Sequence, residues 1–392
     1  MKKIYLDYAA TTPADKEVVE EMMPYFSDKF GNPSSIHTFG QEALEAVDKA
    51  RAQIAEFLHC SPREIIFTSG ATESNNMAIK GTLKASQAKD PHIITSSVEH
   101  HCVLNSCEVL KKEGVDVTFL KVDKDALVDP ENLRKTIKKD TILVSIMYAN
   151  NEVGTIEPIF EIGKILKEVN NDREKKHLPK VYFHVDAVQA ANYLDCNVDS
   201  LGVDYLSLSG HKIYGPKGIG ILYIRRGTRI RSIQQGGEQE YNLRAGTHNV
   251  PGIVGFGKAV ALIPKHRERM PEIKALRDRL ISGIENSIPN AKLNGSREKR
   301  LPHNANFSFK GVEGESLLMM LDQEGIAVST GSACSSASLE PSHVLTAMGI
   351  SPEVAHASIR FTLGKDTTKE DIEYVLKMLP EKIKRLREIS GM

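Results

Sequence analysis

Over roughly the first 260 residues, short apolar runs alternate with segments of helical period, and this alternation limits the fold more than any other feature. The strand-like runs fall at 64–67, 92–96, 116–120, 142–148, 181–185, 205–208 and 220–224. Between them lie helix patterns such as 41–58, where Ala43, Leu44, Val47, Ala50, Ile54, Phe57 and Leu58 share one face. A second helix pattern covers 160–170. Strands that alternate with helices predict an α/β fold with a mostly parallel sheet and right-handed crossovers. From about 254 to 286 the pattern becomes a long helix, bent at Pro264 and Pro271. Strand patterns at 304–309 and 326–329 follow, then helices near 341–348 and 369–387, the last interrupted at Pro380. This predicts a smaller second domain, and 392 residues are enough for two.

Open parallel sheets bind ligands beyond the carboxyl ends of their strands, so the residues after each run are the ones to inspect. The run 203–209 leads into Gly210-His211-Lys212. An amine there suits Schiff-base chemistry with a carbonyl, of which pyridoxal phosphate is the commonest. Ser69-Gly-Ala-Thr-Glu73 separates a strand from a helix, either as an ordinary cap or as a phosphate site with Thr72 as an extra donor. Asp186 ends another run: it either caps a helix or sets a carboxylate against a pyridine nitrogen, with Gln189 reaching the ring oxygen. His100, in Glu99-His-His-Cys102, is a structural imidazole or one that stacks on a cofactor ring; the spacing fits no common zinc site. Asn150-Asn151 makes a turn or binds a substrate carboxylate or the ring oxygen. The polar loop from Gly236 to Thr247 is either surface or functional. The ten small residues from Ser329 to Ser338 hold one reactive side chain, Cys334, which makes it a candidate nucleophile. The other four cysteines are expected to be structural.

Charge excludes some partners. Lys and Arg total 51, as do Asp and Glu, so the balance is zero and favours neither nucleic acid nor an anionic membrane. No signal peptide or membrane-length apolar run is visible, and the five cysteines form no CxxC pair. Free thiols in a cytoplasmic protein are the expectation.

Assembled, these stretches closely resemble the cysteine desulfurases of the NifS/IscS group, fold-type-I pyridoxal phosphate enzymes of the class V aminotransferase superfamily. The resemblance runs from Tyr5-Leu-Asp-Tyr-Ala-Ala-Thr-Thr-Pro13 and Gly31-Asn-Pro-Ser-Ser-Ile-His37 through Thr68-Ser-Gly-Ala-Thr-Glu-Ser74, Glu99-His100, Asn150-Asn-Glu152, His184-Val-Asp-Ala187 and Ser209-Gly-His-Lys212. It continues through Arg244-Ala-Gly-Thr247, Ser332-Ala-Cys-Ser-Ser336 and Ser358-Ile-Arg-Phe361. It implies a large domain over 15–258 and a small α+β domain from 1–14 and 259–392 carrying the cysteine loop. It implies that Lys212 bonds pyridoxal 5'-phosphate, His100 stacks on the ring, Asp186 pairs with its nitrogen and Gln189 contacts its oxygen. Thr72, Ser209, His211 and the Ala71 backbone would hold the phosphate, and Thr247 would reach the phosphate of a partner subunit in a homodimer. Asn151 is implied in both cofactor and substrate binding, and Arg360 in binding the substrate carboxylate. Cys334 would take sulfur from L-cysteine, leaving L-alanine, and pass it to an iron–sulfur scaffold or another acceptor. The related alternative is a selenocysteine lyase or aminotransferase of the same class. The tyrosine–asparagine pair at Tyr241-Asn242 departs from the arginine–glycine pair common in the group.

Overall fold

The computed structural model describes residues 3–330 and 340–391. Twelve strands are present among them. β1 is Ile4–Tyr5, β2 Ile65–Thr68, β3 His92–Ser96, β4 Asp116–Leu120, β5 Thr141–Ser145 and β6 Tyr182–Asp186. β7 is Tyr205–Ser209, β8 Gly220–Ile224, β9 Ala291–Leu293, β10 Asn304–Phe309, β11 Ile326–Ala327 and β12 Ser358–Thr362. Seven form one sheet in the order β2-β8-β7-β6-β5-β3-β4. β8 runs antiparallel to both β2 and β7, and every other pairing is parallel. Six strands therefore point the same way.

Each strand of this sheet is apolar on both faces because helices cover both. Phe67, Ile94, Val144, Phe183 and Ile221 pack on one side with Ile54, Leu58, Ile162 and Phe256. Ile66, Ile93, Leu143 and Leu222 pack on the other with Met77, Ile79, Val103 and Leu110. The period of two along a strand sends neighbours to opposite layers. Polar groups inside the sheet are paired with one another: His184 contacts the Ser145 and Ser207 hydroxyls at 2.8 and 3.0 Å, and burial pushes it down to about 3.

A second core joins Phe307, Phe309, Ile359 and Phe361 of an antiparallel sheet, β12-β10-β9, to Leu280, Ile284, Val375 and Leu379 of two helices. Ile4 and Leu6 enter it as well, because β1 pairs with β11.

The strand expectations agree closely with these elements; the helix expectations need three corrections. The single long helix is three, Val250–Ala261, Ile263–Arg267 and Met270–Ser287. Pro264 and Pro271 each occupy a first turn, where the missing N–H has no partner to lose, so they start helices and do not bend one. The helix Lys369–Ile389 runs unbroken through Pro380. There the packing of Ile372, Val375, Leu379 and Ile383 in the second core outweighs one lost hydrogen bond. β1 and β9, of two and three residues, were too short to show a period.

Glu240, Tyr241 and Asn242 all have left-handed φ, 46°, 57° and 64°. Each costs roughly 1 kcal/mol or more without glycine. A buried ion pair holds this run: both Arg51 Nη atoms donate to Glu240, at 2.9 and 2.6 Å, and Glu240 also accepts from the Phe67 amide at 2.7 Å. Although burial opposes it, the Arg51 and His248 contacts hold the Glu240 carboxyl down at about 2. Its contribution to stability is present above the ordinary glutamate value and is lost as pH falls through about 2. Arg51→Ala leaves the buried Glu240 carboxylate without its guanidinium partner and is expected to cost about 3–5 kcal/mol in chemical denaturation.

Candidate active site

Beyond the common carboxyl edge of the six aligned strands lies a cavity of about 600 Å³. β2 supplies its first wall. The chain turns at Gly70, φ 150°, into the helix Ala71–Ala85, whose first residues Ala71 and Thr72 line the cavity. The opening amides of a helix have no partner within it and attract anions. Glu73 does not compete for the cavity, because it accepts from the Ser69 amide at 2.6 Å and pairs with Arg244 at 2.9 Å.

β6 delivers Asp186, only 6% exposed. Its oxygens accept from the Val188 amide at 3.0 Å and from Asn75 Nδ2 at 2.7 Å. β7 delivers Ser209, His211 and Lys212, all lining the cavity. Lys212 Nζ donates to the carbonyls of Ala9 and Ala10 at 2.5 and 2.7 Å, which brings the N-terminal segment across the strand ends. Gln189 Nε2 donates to the same Ala9 carbonyl at 3.0 Å. His211 Nδ1 lies 3.2 Å from the Thr11 hydroxyl, and burial with the Lys212 and Lys217 charges pushes it down to about 4.

His100 follows β3 and caps the helix His101–Lys112, its Nδ1 accepting from the Cys102 amide at 3.2 Å. That contact leaves the proton of a neutral ring on Nε2. Burial holds His100 below the ordinary histidine range; Asp186 opposes this, and Lys212 and His101 add to it. Asn151 and Arg360 complete the lining. Asn150 instead fastens the turn, accepting from the amides of Glu152 and Val153.

The structure thus gathers Ala71, Thr72, His100, Asn151, Asp186, Gln189, Ser209, His211, Lys212 and Arg360 at one cavity. Thr247 is exposed and does not line it in the single chain. Cys334 lies outside the described residues. Sequence reasoning missed Asn75 and Cys102. Asn75 is in the middle of a helix, where nothing in its spacing points to Asp186. Cys102, expected to be only structural, lines the cavity with its Sγ 3.0 Å from His100 Nδ1 and 3.1 Å from Asn75 Nδ2. Burial and the Asp186 charge push its thiol up to about 12, so it stays protonated.

A family model, aminotransferase class-V, matches residues 4–375. The chain belongs to that family. A cysteine desulfurase IscS of Dictyoglomus turgidum is 56% identical over 393 residues, covering 99% of this chain and 96% of the relative. Another of the same name from Methanosarcina thermophila is 51% identical, covering all of this chain and 94% of the relative. Among solved structures, a NifS-like protein superposes with a TM-score of 0.90 at 39% identity, covering 98% of this chain and 100% of that one. A structure described as SspA in complex with cysteine gives 0.81 at 39% identity, covering 94% and 100%.

The cofactor of this family member is pyridoxal 5'-phosphate. The donor set fits it: a helix N-terminus for the phosphate, a buried carboxylate for the ring nitrogen and an amine for the aldehyde, each on a different strand end. The cavity is of the size that such ligands fill. Asn75→Ala removes a hydrogen bond to the buried Asp186 carboxylate and is expected to weaken cofactor binding about tenfold or more. Equilibrium dialysis against the cofactor, read by its absorbance, measures this.

Proposed function

We propose that the protein is a cysteine desulfurase, which takes sulfur from L-cysteine, releases L-alanine and holds the sulfur as a persulfide on Cys334. The observation that carries this reading is one cavity joining an amine, a buried carboxylate, a helix N-terminus and a buried guanidinium, in a chain so similar to desulfurases along its whole length. When bound, pyridoxal phosphate supplies an electron sink for negative charge at the substrate Cα.

The residues divide the remaining work. Ala71, Thr72, Ser209 and His211 would hold the phosphate, and Asp186, fixed by Val188 and Asn75, would present its charge to the ring nitrogen. Gln189 would donate to the ring oxygen. Arg360 and Asn151 bind the substrate carboxylate, a task suited to a guanidinium fork. Lys212 would anchor the cofactor, and its amine is placed to take the Cα proton of the substrate. His100, neutral with its proton on Nε2, would cover the ring and give a proton to, or take one from, the reacting sulfur. Cys334, as thiolate, attacks the substrate sulfur; a sulfur–sulfur bond forms, the carbon–sulfur bond breaks, and its electron pair stays with carbon. Cysteine and one thiol thus become alanine and one persulfide, with atoms balanced.

We read the protein as a cytoplasmic homodimer of two-domain subunits, 15–258 forming the large domain and 1–14 with 259–392 the small one. Support for the dimer is the exposed apolar stretch of Val19, Met23, Phe26, Phe30, Ile36 and Phe39, since isolated chains seldom leave so many uncovered. Thr247, exposed on its own chain, would then serve the partner's phosphate. No described helix is long and apolar enough to cross a membrane, and Cys60, Cys102, Cys107 and Cys196 are unpaired, as in a reducing compartment. The persulfide passes to an iron–sulfur scaffold or another sulfur-accepting protein.

Intact mass under non-reducing conditions after incubation with L-cysteine tests the reading. One added sulfur is expected on the wild type, and none on Cys334→Ala or Lys212→Ala. A persulfide that persists in Cys334→Ala removes Cys334 as the acceptor.

A further inference from the structure

Arg360 has a neighbour in the structure whose role no sequence motif gave. The arginine sits on β12, 3% exposed, at the cavity wall. One Nη donates to the Asn151 carbonyl at 2.8 Å and the other to Asp7 Oδ1 at 2.8 Å. Its Nε is enclosed and makes no hydrogen bond among the described residues. A buried guanidinium without a counter-charge is costly, and Asp7 is the acidic residue paired with it.

Asp7 is itself firmly placed. The residues before it pair with β11, Ile4 with Ile326 and Tyr5 with Ala327. The Tyr5 hydroxyl donates to the Asp7 carbonyl at 3.0 Å, and Asp7 forms a backbone bridge with Thr362. The other titratable groups that sense Arg360 are Glu152, His303 and Tyr5. Burial pushes Glu152 up to about 7, His303 down to about 3 and Tyr5 up to about 12. At neutral pH the imidazole and phenol are therefore uncharged, and Asp7 is the carboxylate in direct contact with the guanidinium.

We propose that Asp7 is a positioning residue that sets the charge specificity of the substrate site. It fixes the Arg360 guanidinium and already balances its single positive charge. The remaining donors accept a single carboxylate, and an amino acid bearing a second meets repulsion from Asp7. This rests on reading Arg360 as the substrate-carboxylate residue.

Steady-state kinetics on the cofactor-loaded protein test it, with L-alanine and L-aspartate as competitive inhibitors of L-cysteine turnover. Wild type is expected to bind L-aspartate at least about tenfold more weakly than L-alanine. Asp7→Asn keeps an acceptor for Arg360 but drops the charge; it should lower KM for L-cysteine about fivefold, change kcat less, and bring the two inhibitors close to parity. Asp7→Glu should restore the wild-type ratio. A merely structural role for Asp7 would not tighten binding or admit the dicarboxylate. Unchanged KM and an unchanged inhibitor ratio in Asp7→Asn overturn the proposal. If that variant does not fold, parity of the two inhibitors on wild type overturns it instead. Arg360→Ala separates the two levels: a raised KM there supports the carboxylate reading whatever Asp7 does, and an unchanged KM sinks that reading.

Discussion

Parallel pairing gives strands a shared carboxyl-terminal edge, and the rest of this molecule depends on that constraint. With only β8 reversed, β2 to β7 all release their chains on one side of the sheet. Residues that line the cavity come just after these strands: Ala71 and Thr72 after β2, His100 after β3, Asn151 after β5, Asp186 at the end of β6, and Lys212 after β7. Separated by more than 140 residues in the chain, they meet because their strands are neighbours. The apolar filling of both faces keeps the strands in register and hence the side chains in place.

The open side of that edge is closed from elsewhere. The N-terminal segment crosses it, its Ala9 and Ala10 carbonyls meeting Lys212 and its Asp7 meeting Arg360. That segment belongs with the second core through Ile4 and Leu6. The cavity therefore lies where the two cores meet: the large sheet lines it with Asp186, Ser209 and Lys212, and β12 with the N-terminal segment lines it with Arg360, Ala9 and Ala10. In this seam Asp7 balances the charge of Arg360, and Asn75 donates a hydrogen bond to the Asp186 carboxylate.

Much of this was legible in the sequence because strand period and strand-end chemistry are local properties. The seven central strands and the cavity residues Thr72, His100, Asn151, Asp186, Gln189 and Lys212 were candidates from short windows, whereas Ala71, Ser209, His211 and Arg360 came from the family resemblance. Local reading failed where tertiary packing overrides propensity. Pro380 continues a helix because a packed face holds it, and Pro264 and Pro271 begin helices, a distinction that depends on backbone geometry.

The sequence by itself determined the layered α/β class, the lysine at a strand end and the small-residue segment around Cys334. Each follows from residue types within a few positions of one another. Only the tertiary structure decided which groups support them. Asn75 meets Asp186 across 111 positions, Asp7 meets Arg360 across 353, and Cys102 lies in the cavity wall and not in a distant core. Such contacts depend on where the fold brings two elements together, and no period or spacing along the chain records a hydrogen bond between side chains so far apart.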